Sequence, residues 1–258
     1  METQDFPDEI AQLVRTTTTL FDDTYSRFKH TSLIGQLNLN KRLPHPPQEL
    51  LDMFTFAHKM HRVTKGSFDI SVGGTLQRLG YGDTNTAKAN YTKFWNEVKY
   101  NREEICIPNK TAVDFGGFGK GWLLDKLAVL LEQNGITYYL INGGGDIVLS
   151  AKDPVELGLE HPYEPGAVIG TTRLTRGALA VSSVVKRRWN KNNETHHHII
   201  DHLKDAATGA DVVTTYVRGE TALITDTLAT AALVRPAMKE QLEKQFHVGI
   251  ITLTRGQL

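Results

Sequence analysis

The chain has 258 residues, enough for one large domain with a real hydrophobic core. Hydrophobic residues make up 40% and charged residues 22%, the balance of a soluble globular protein. Lysine plus arginine equals aspartate plus glutamate at 29 each, so a net charge of zero points to neither nucleic acid nor an anionic membrane surface, and a charged ligand needs a local site.

The first element in chain order is a helix opened by Pro7-Asp8-Glu9, with Ile10, Leu13, Val14, Leu20 and Phe21 recurring at helical spacing. Thr16 to Thr19 lower the helix propensity there, so packing has to hold that turn. A second helix is expected from Pro47-Gln48-Glu49, with Leu50, Leu51, Phe54, Ala57 and Met60 on one face, and a third within 85–98. Cys106 is the single cysteine, which excludes an internal disulfide, and its place in Ile105-Cys106-Ile107 reads as a small buried residue in a strand. A strong helix lies between Gly121 and Gly135, its buried side formed by Trp122, Leu123, Leu124, Leu127, Ala128, Leu130 and Leu131. Strands follow at Tyr138 to Ile141 and Asp146 to Leu149, joined by Gly143 to Gly145. Further strands are expected at Val155 to Leu159, Ala167 to Leu174 and Ala178 to Val185. Helices and strands interleave without a break, which predicts one mixed α+β unit spanning 1–258. The acidic N-terminus shows no signal-peptide pattern and no run approaches 18 apolar residues, so a cytoplasmic location with no membrane span is the expectation.

Three segments carry chemistry. Val113 to Gly121 contains Gly116, Gly117, Gly119 and Gly121 with Lys120, directly before a helix. Glycines let backbone approach a ligand, and a helix N-terminus suits phosphate oxygens. The spacing matches neither a Walker A loop nor a Rossmann fingerprint, so a phosphate cradle and a plain structural turn both stay open. In Ile224 to Val234, Asp226 and Thr230 are four apart and share a helix face. A carboxylate with a hydroxyl suits Mg²⁺ or Ca²⁺, and a helix cap is the competing reading. His196, His197, His198 and His202 cluster, but no cysteine assists them and alternate strand residues face opposite ways, which argues against zinc.

Taken in order, seven segments resemble the ApbE family. They are Tyr25-Ser26-Arg27-Phe28 followed by Ser32 to Asn38; Gly66 to Gly73; the glycine loop ending at Asp125; Asn142 to Asp146; Ala180 to Ser183; His198 to Asp201; and Thr225 to Thr230. The resemblance implies an ApbE-like, two-lobed α+β fold with FAD in a cleft between lobes. It implies a Mg²⁺-dependent FAD:protein FMN transferase, in which FMN moves from FAD to a Thr or Ser of a target flavoprotein and AMP is released. Asp226, Thr230 and the Gly119 carbonyl would hold the metal. Gly116, Gly117 and Lys120 would face the diphosphate. Asn38, Ser71, Asp125, Asn142, Gly144, Ser182 and His198 would line the flavin site, and Asp226, Lys120 and His198 would carry catalysis. Departures from the family pattern are the absence of its usual N-terminal strand, His202 in place of a proline, Ser183 in place of a glycine, and extra residues at Leu203 to Ala207. Two other readings remain: an FAD diphosphatase with water as acceptor, and a silent FAD-binding protein. The Asp226/Thr230 pair and Lys120 argue against the last.

Overall fold

The computed structural model describes residues 7–82, 94–191 and 193–257. In chain order these form α1 (Asp8–Tyr25), α2 (Leu33–Asn40), β1 (Arg42–Pro44), α3 (Gln48–Val63), α4 (Gly73–Arg78), α5 (Phe94–Glu97), β2 (Lys99–Tyr100), β3 (Glu104–Cys106), α6 (Gly119–Gln133) and β4 (Tyr139–Asn142). There follow β5 (Ile147–Glu160), β6 (Val168–Ser183), β7 (Arg188–Lys191), β8 (Glu194–His197), β9 (Ile200–Asp201), β10 (Ala206–Ala207), β11 (Val212–Gly219), α7 (Ala222–Val234), α8 (Lys239–Phe246) and β12 (Gly249–Thr254).

The central sheet is antiparallel, in the order β12-β11-β6-β5-β4. Alternation along β6 decides what each face does. Ala178 and Ala180 are fully buried toward the helices, whereas Leu179 joins Leu149, Leu157, Leu159 and Tyr216 in a separate apolar cluster on the other face. The strands β5 and β6 are longer than their neighbours, and their register shifts between Ser150 and Val155. Beyond that shift they form a two-stranded ribbon that covers the second face.

Helix α7 is mostly apolar, with Asp226 its one charged residue, and lies buried between α6 and the sheet. Close approach of α6 and α7 depends on Gly121, because a Cβ there would stand 2.4 Å from the Ala222 carbonyl oxygen. The main core continues from α7 through Phe118 and Phe115 to Leu50, Met53, Phe54 and Met60 on α3, and to Ile34 and Leu37 on α2. The small sheet β1-β3-β2 closes that end.

The α3 face expected from periodicity is the buried one, and the strands flanking Gly143 to Gly145 are β4 and the start of β5. Other expectations change or are met only in part, among them the strands expected at Asp146 to Leu149 and Val155 to Leu159, which run together as β5. On α1, Leu13 and Leu20 are 43% and 58% exposed, and only Ile10 and Tyr25 are buried. Within 85–98, α5 covers Phe94–Glu97, and 85–93 lie outside the described residues. The strands expected either side of Arg176-Gly177 are one strand, β6, which keeps its pairing with β5 through both residues. Cys106 is half-buried rather than buried. Among the described residues no helix is long and apolar enough to cross a membrane.

Candidate functional site

The glycine loop ends where α6 begins, and α7 runs beside it. Asp226, on the second turn of α7, is buried and faces that junction. Its Oδ2 accepts from the Gly121 backbone N–H at 3.0 Å, and its Oδ1 accepts from Lys120 Nζ at 3.0 Å. The same ammonium lies 2.8 Å from Oδ2 of Asp146, the residue that closes the Gly143–Gly145 turn. Asp146 Oδ1 accepts from the Val181 N–H at 3.0 Å, so three chain segments meet around one lysine.

Electrostatics follow from this geometry. Burial disfavours the Lys120 charge, but Asp226 and Asp146 together raise its pKa well above the ordinary lysine value. Burial raises the Asp146 pKa, the Asp226 charge raises it further, and Lys120 opposes both. Thr230, one turn after Asp226, has its hydroxyl 3.0 Å from Ser182 Oγ.

These groups form one wall of a cavity of about 570 Å³, inside the range of small-molecule sites. Gly116, Gly117, Gly119, Lys120, Gly144, Ser182, His198, Asp226 and Thr230 all line it. Burial, with repulsion from Arg187, drops the His198 pKa to about 4, so the imidazole is neutral at pH 7. Lys186 and Arg187 add positive charge, while Phe21, Tyr25, Phe28 and Tyr81 supply aromatic surface.

Asn38, Ser71, Asp125 and Asn142 are not brought to this wall. Asn38 clasps the main chain of Val113, donating to its carbonyl at 2.8 Å and accepting from its N–H at 2.6 Å. Asp125 accepts from the N–H groups of Ala222 and Leu223 at 2.8 and 2.9 Å, and so caps the start of α7. Ser71 lies behind Asp69, its hydroxyl donating to Asp69 Oδ1 at 2.6 Å. Asn142 holds the glycine turn by accepting from the Gly145 N–H at 2.9 Å, and lines a smaller adjoining cavity.

Other residues on or directly behind the wall carry no site role in the sequence reading. Asp146 is the first, visible only as the acid ending a glycine run. Asp69 is the second: Trp95 Nε1 donates to its Oδ2 at 3.0 Å, and His61 Nδ1 lies 2.5 Å from that oxygen. Burial opposes its ionisation, but contact with His61, the neighbouring His202 and Ser71 hold the carboxyl below the usual range. Arg27 is the third, ion-paired with Asp114 and placed 4.2 Å from the Phe28 ring centroid, and Asp114 itself accepts from the Gly116 N–H at 2.5 Å.

Among the described residues no three of His, Cys, Asp and Glu converge as a metal cage. The oxygen donors at this wall are instead the Asp226 carboxylate, the Thr230 hydroxyl and main-chain oxygen at Gly119, hard ligands of the kind that suit a Mg²⁺-like ion sharing its shell with water and phosphate. An ammonium already sits between Asp146 and Asp226, which marks the place as one that stabilises positive charge.

A cleft with aromatic walls, a lysine at a helix N-terminus and hard oxygen donors has chemistry suited to a phosphate-bearing aromatic ligand. The chain belongs to the ApbE family, whose model matches residues 2–250. It is similar to the FAD:protein FMN transferase of Salmonella typhimurium (24% identity, 90% of this chain and 73% of that protein). The protein of the same name from Escherichia coli K12 is 22% identical over 96% of this chain and 77% of its own length. The ApbE protein of Thermotoga maritima shares the fold at TM-score 0.86, with 20% identity and coverage of 99% and 89%. The flavin transferase ApbE of Vibrio cholerae does so at 0.78, with 18% identity and coverage of 98% and 88%.

Proposed function

We propose that this chain is a Mg²⁺-dependent FAD:protein FMN transferase acting as a single catalytic domain. FMN of FAD goes to a Thr or Ser of an acceptor flavoprotein, and AMP leaves. The observation that carries this reading is the Lys120 ammonium held between Asp146 and Asp226 on the wall of the aromatic-lined cleft. The names of the Salmonella and Escherichia relatives support it.

The reaction forms one P–O bond and breaks another. The acceptor hydroxyl oxygen attacks the flavin-side phosphorus, and the bridging P–O bond breaks with its electron pair leaving on AMP. Such transfers need positioning and charge neutralisation more than covalent help. Lys120 remains protonated throughout and neutralises diphosphate charge. The N–H groups of Gly116, Gly119 and Gly121 are taken up inside the protein, so those of Gly117 and Lys120, at the start of α6, are the ones that orient phosphate oxygens. His198, on the cleft wall and neutral at pH 7, offers a lone pair as hydrogen-bond acceptor to the attacking hydroxyl, whose proton passes to solvent as the P–O bond forms. Asp226, Thr230 and the Gly119 carbonyl would hold Mg²⁺, which supplies Lewis-acid stabilisation of the phosphoryl oxygens. Aromatic side chains hold the ring systems.

Purified protein incubated with FAD and Mg²⁺, with and without EDTA, tests this by chromatography. AMP release that disappears with EDTA is the expected result. Bound FAD with no AMP in the presence of Mg²⁺ would sink the proposal.

A further inference from the structure

A transferase acting on proteins has to admit a polypeptide hydroxyl beside the dinucleotide, and a folded surface cannot follow FAD into the cleft. We infer that an extended segment of the acceptor protein adds as a strand to the open edge of β4 and delivers its Thr or Ser at the Asn142–Gly145 turn. This inference rests on the transferase reading.

Three observations converge on that edge. First, β4 is the last strand of the sheet, and among the described residues no strand pairs with its outer side. Edge strands are usually protected by charge, proline or a covering element. The residues Tyr139, Leu140, Ile141 and Asn142 carry no charge and no proline. Second, Tyr138 and Leu140 are 63% and 52% exposed, whereas Tyr139 between them turns toward α6, its hydroxyl donating to Glu132 at 2.8 Å. An apolar stripe on an unpaired strand suits strand addition, where main-chain bonds give affinity and alternate side chains give selectivity.

Third, the strand leads into the chemistry. Asn142 and Gly145 line a cavity of about 160 Å³ on the ribbon-covered face of the sheet. Its wall includes Val181, Ser183 and Lys186, which also line the main cleft. Lys186 pairs with Glu160 at the end of β5 and so ties the ribbon across this cavity. Gly144 of the same turn lines the main cleft, and the next residues bring Asp146 to Lys120. A segment paired along β4 advances about 3.3 Å per residue. A few residues therefore carry it from Tyr138 past the small cavity, which has room for one side chain, to the cleft mouth.

The test compares wild-type protein, the double variant Tyr138→Lys/Leu140→Lys, and Ile251→Lys on β12, the strand at the opposite end of the sheet. The probe is a purified flavoprotein domain carrying one acceptor threonine. FAD affinity is read by flavin fluorescence, Tm by thermal unfolding, and transfer by protein-bound flavin. The expected result is a rise of about tenfold or more in KM for the acceptor in the double variant. FAD affinity and Tm stay at wild-type values, and Ile251→Lys has no effect. An unchanged acceptor KM, or an equal rise in Ile251→Lys, would overturn the inference. Wild-type protein that binds FAD and flavinylates nothing defeats the transferase reading itself, and the β4 edge then loses its occupant.

Discussion

Replacing Asp125 by alanine separates a ligand contact from a positioning role. In the structure this carboxylate accepts from the first two N–H groups of α7, at 2.8 and 2.9 Å, across 97 and 98 residues of sequence. Hydrogen bonds to a charged partner contribute about 1.5–3 kcal/mol, and loss of a helix cap costs about 0.5–2 kcal/mol. Part of this is offset, because burial raises the Asp125 pKa more than the two N–H groups lower it, and truncation relieves that burial. Thr221 offers little replacement, since its hydroxyl reaches only the Ile224 N–H at 3.4 Å. A net loss of about 2 kcal/mol is expected. For a chain of this size that lowers Tm by about 4–8 °C. Thermal unfolding measures the loss, and a fluorescence titration with FAD measures binding. Reduced Tm with unchanged FAD affinity is the expected pair of results. Weakened FAD binding with unchanged Tm would refute the reasoning and return Asp125 to the flavin site.

Lys120→Ala is expected to weaken FAD more than riboflavin in parallel titrations, the result that follows from the proposed diphosphate role of the ammonium; equal weakening would count against that role. His198 gives a pH dependence with a defined sign. Its folded pKa of about 4 lies below the unfolded value near 6.5, so the unfolded state binds more protons in between. That contribution to stability is complete above about pH 6.5 and is lost as pH falls toward 4, at no more than about 1.4 kcal/mol per pH unit. His198→Gln should flatten this window in urea titrations at a series of pH values; an unaltered pH slope would contradict the assignment. Gly121→Ala forces a Cβ against the Ala222 carbonyl, so a loss of about 1–3 kcal/mol is expected by denaturant unfolding, and an unchanged midpoint would show that α6 and α7 part freely.

Sequence gave the local parts of this account. Helical period placed the buried face of α3, and the four-residue spacing placed Asp226 and Thr230 on one face of α7, both lining the cleft. The glycine run before α6 was visible as a loop that could meet phosphate. What lay beyond reach was pairing over distance. The Lys120–Asp226 contact spans 106 residues, and no periodicity encodes which of 29 acidic residues a lysine will meet. Asp146 became a site residue only when the Gly143–Gly145 turn delivered it to the same ammonium. Asn38 and Asp125 show the converse. Both are polar residues inside family motifs, and both spend their hydrogen bonds on main chain that holds the loop and α7 in place. The exposed Leu13 and Leu20 of α1 mark another boundary, since an amphipathic pattern predicts a helix but not how much of it is covered.

The most direct test of the central claim is the intact mass of an acceptor flavoprotein after incubation with FAD, Mg²⁺ and this chain, beside a reaction with Asp226→Asn. The account predicts an added FMN phosphoester on one Thr or Ser with wild-type protein and an unmodified acceptor with the variant. AMP release with an unmodified acceptor would make the chain a diphosphatase, and full modification by Asp226→Asn would contradict the site described here.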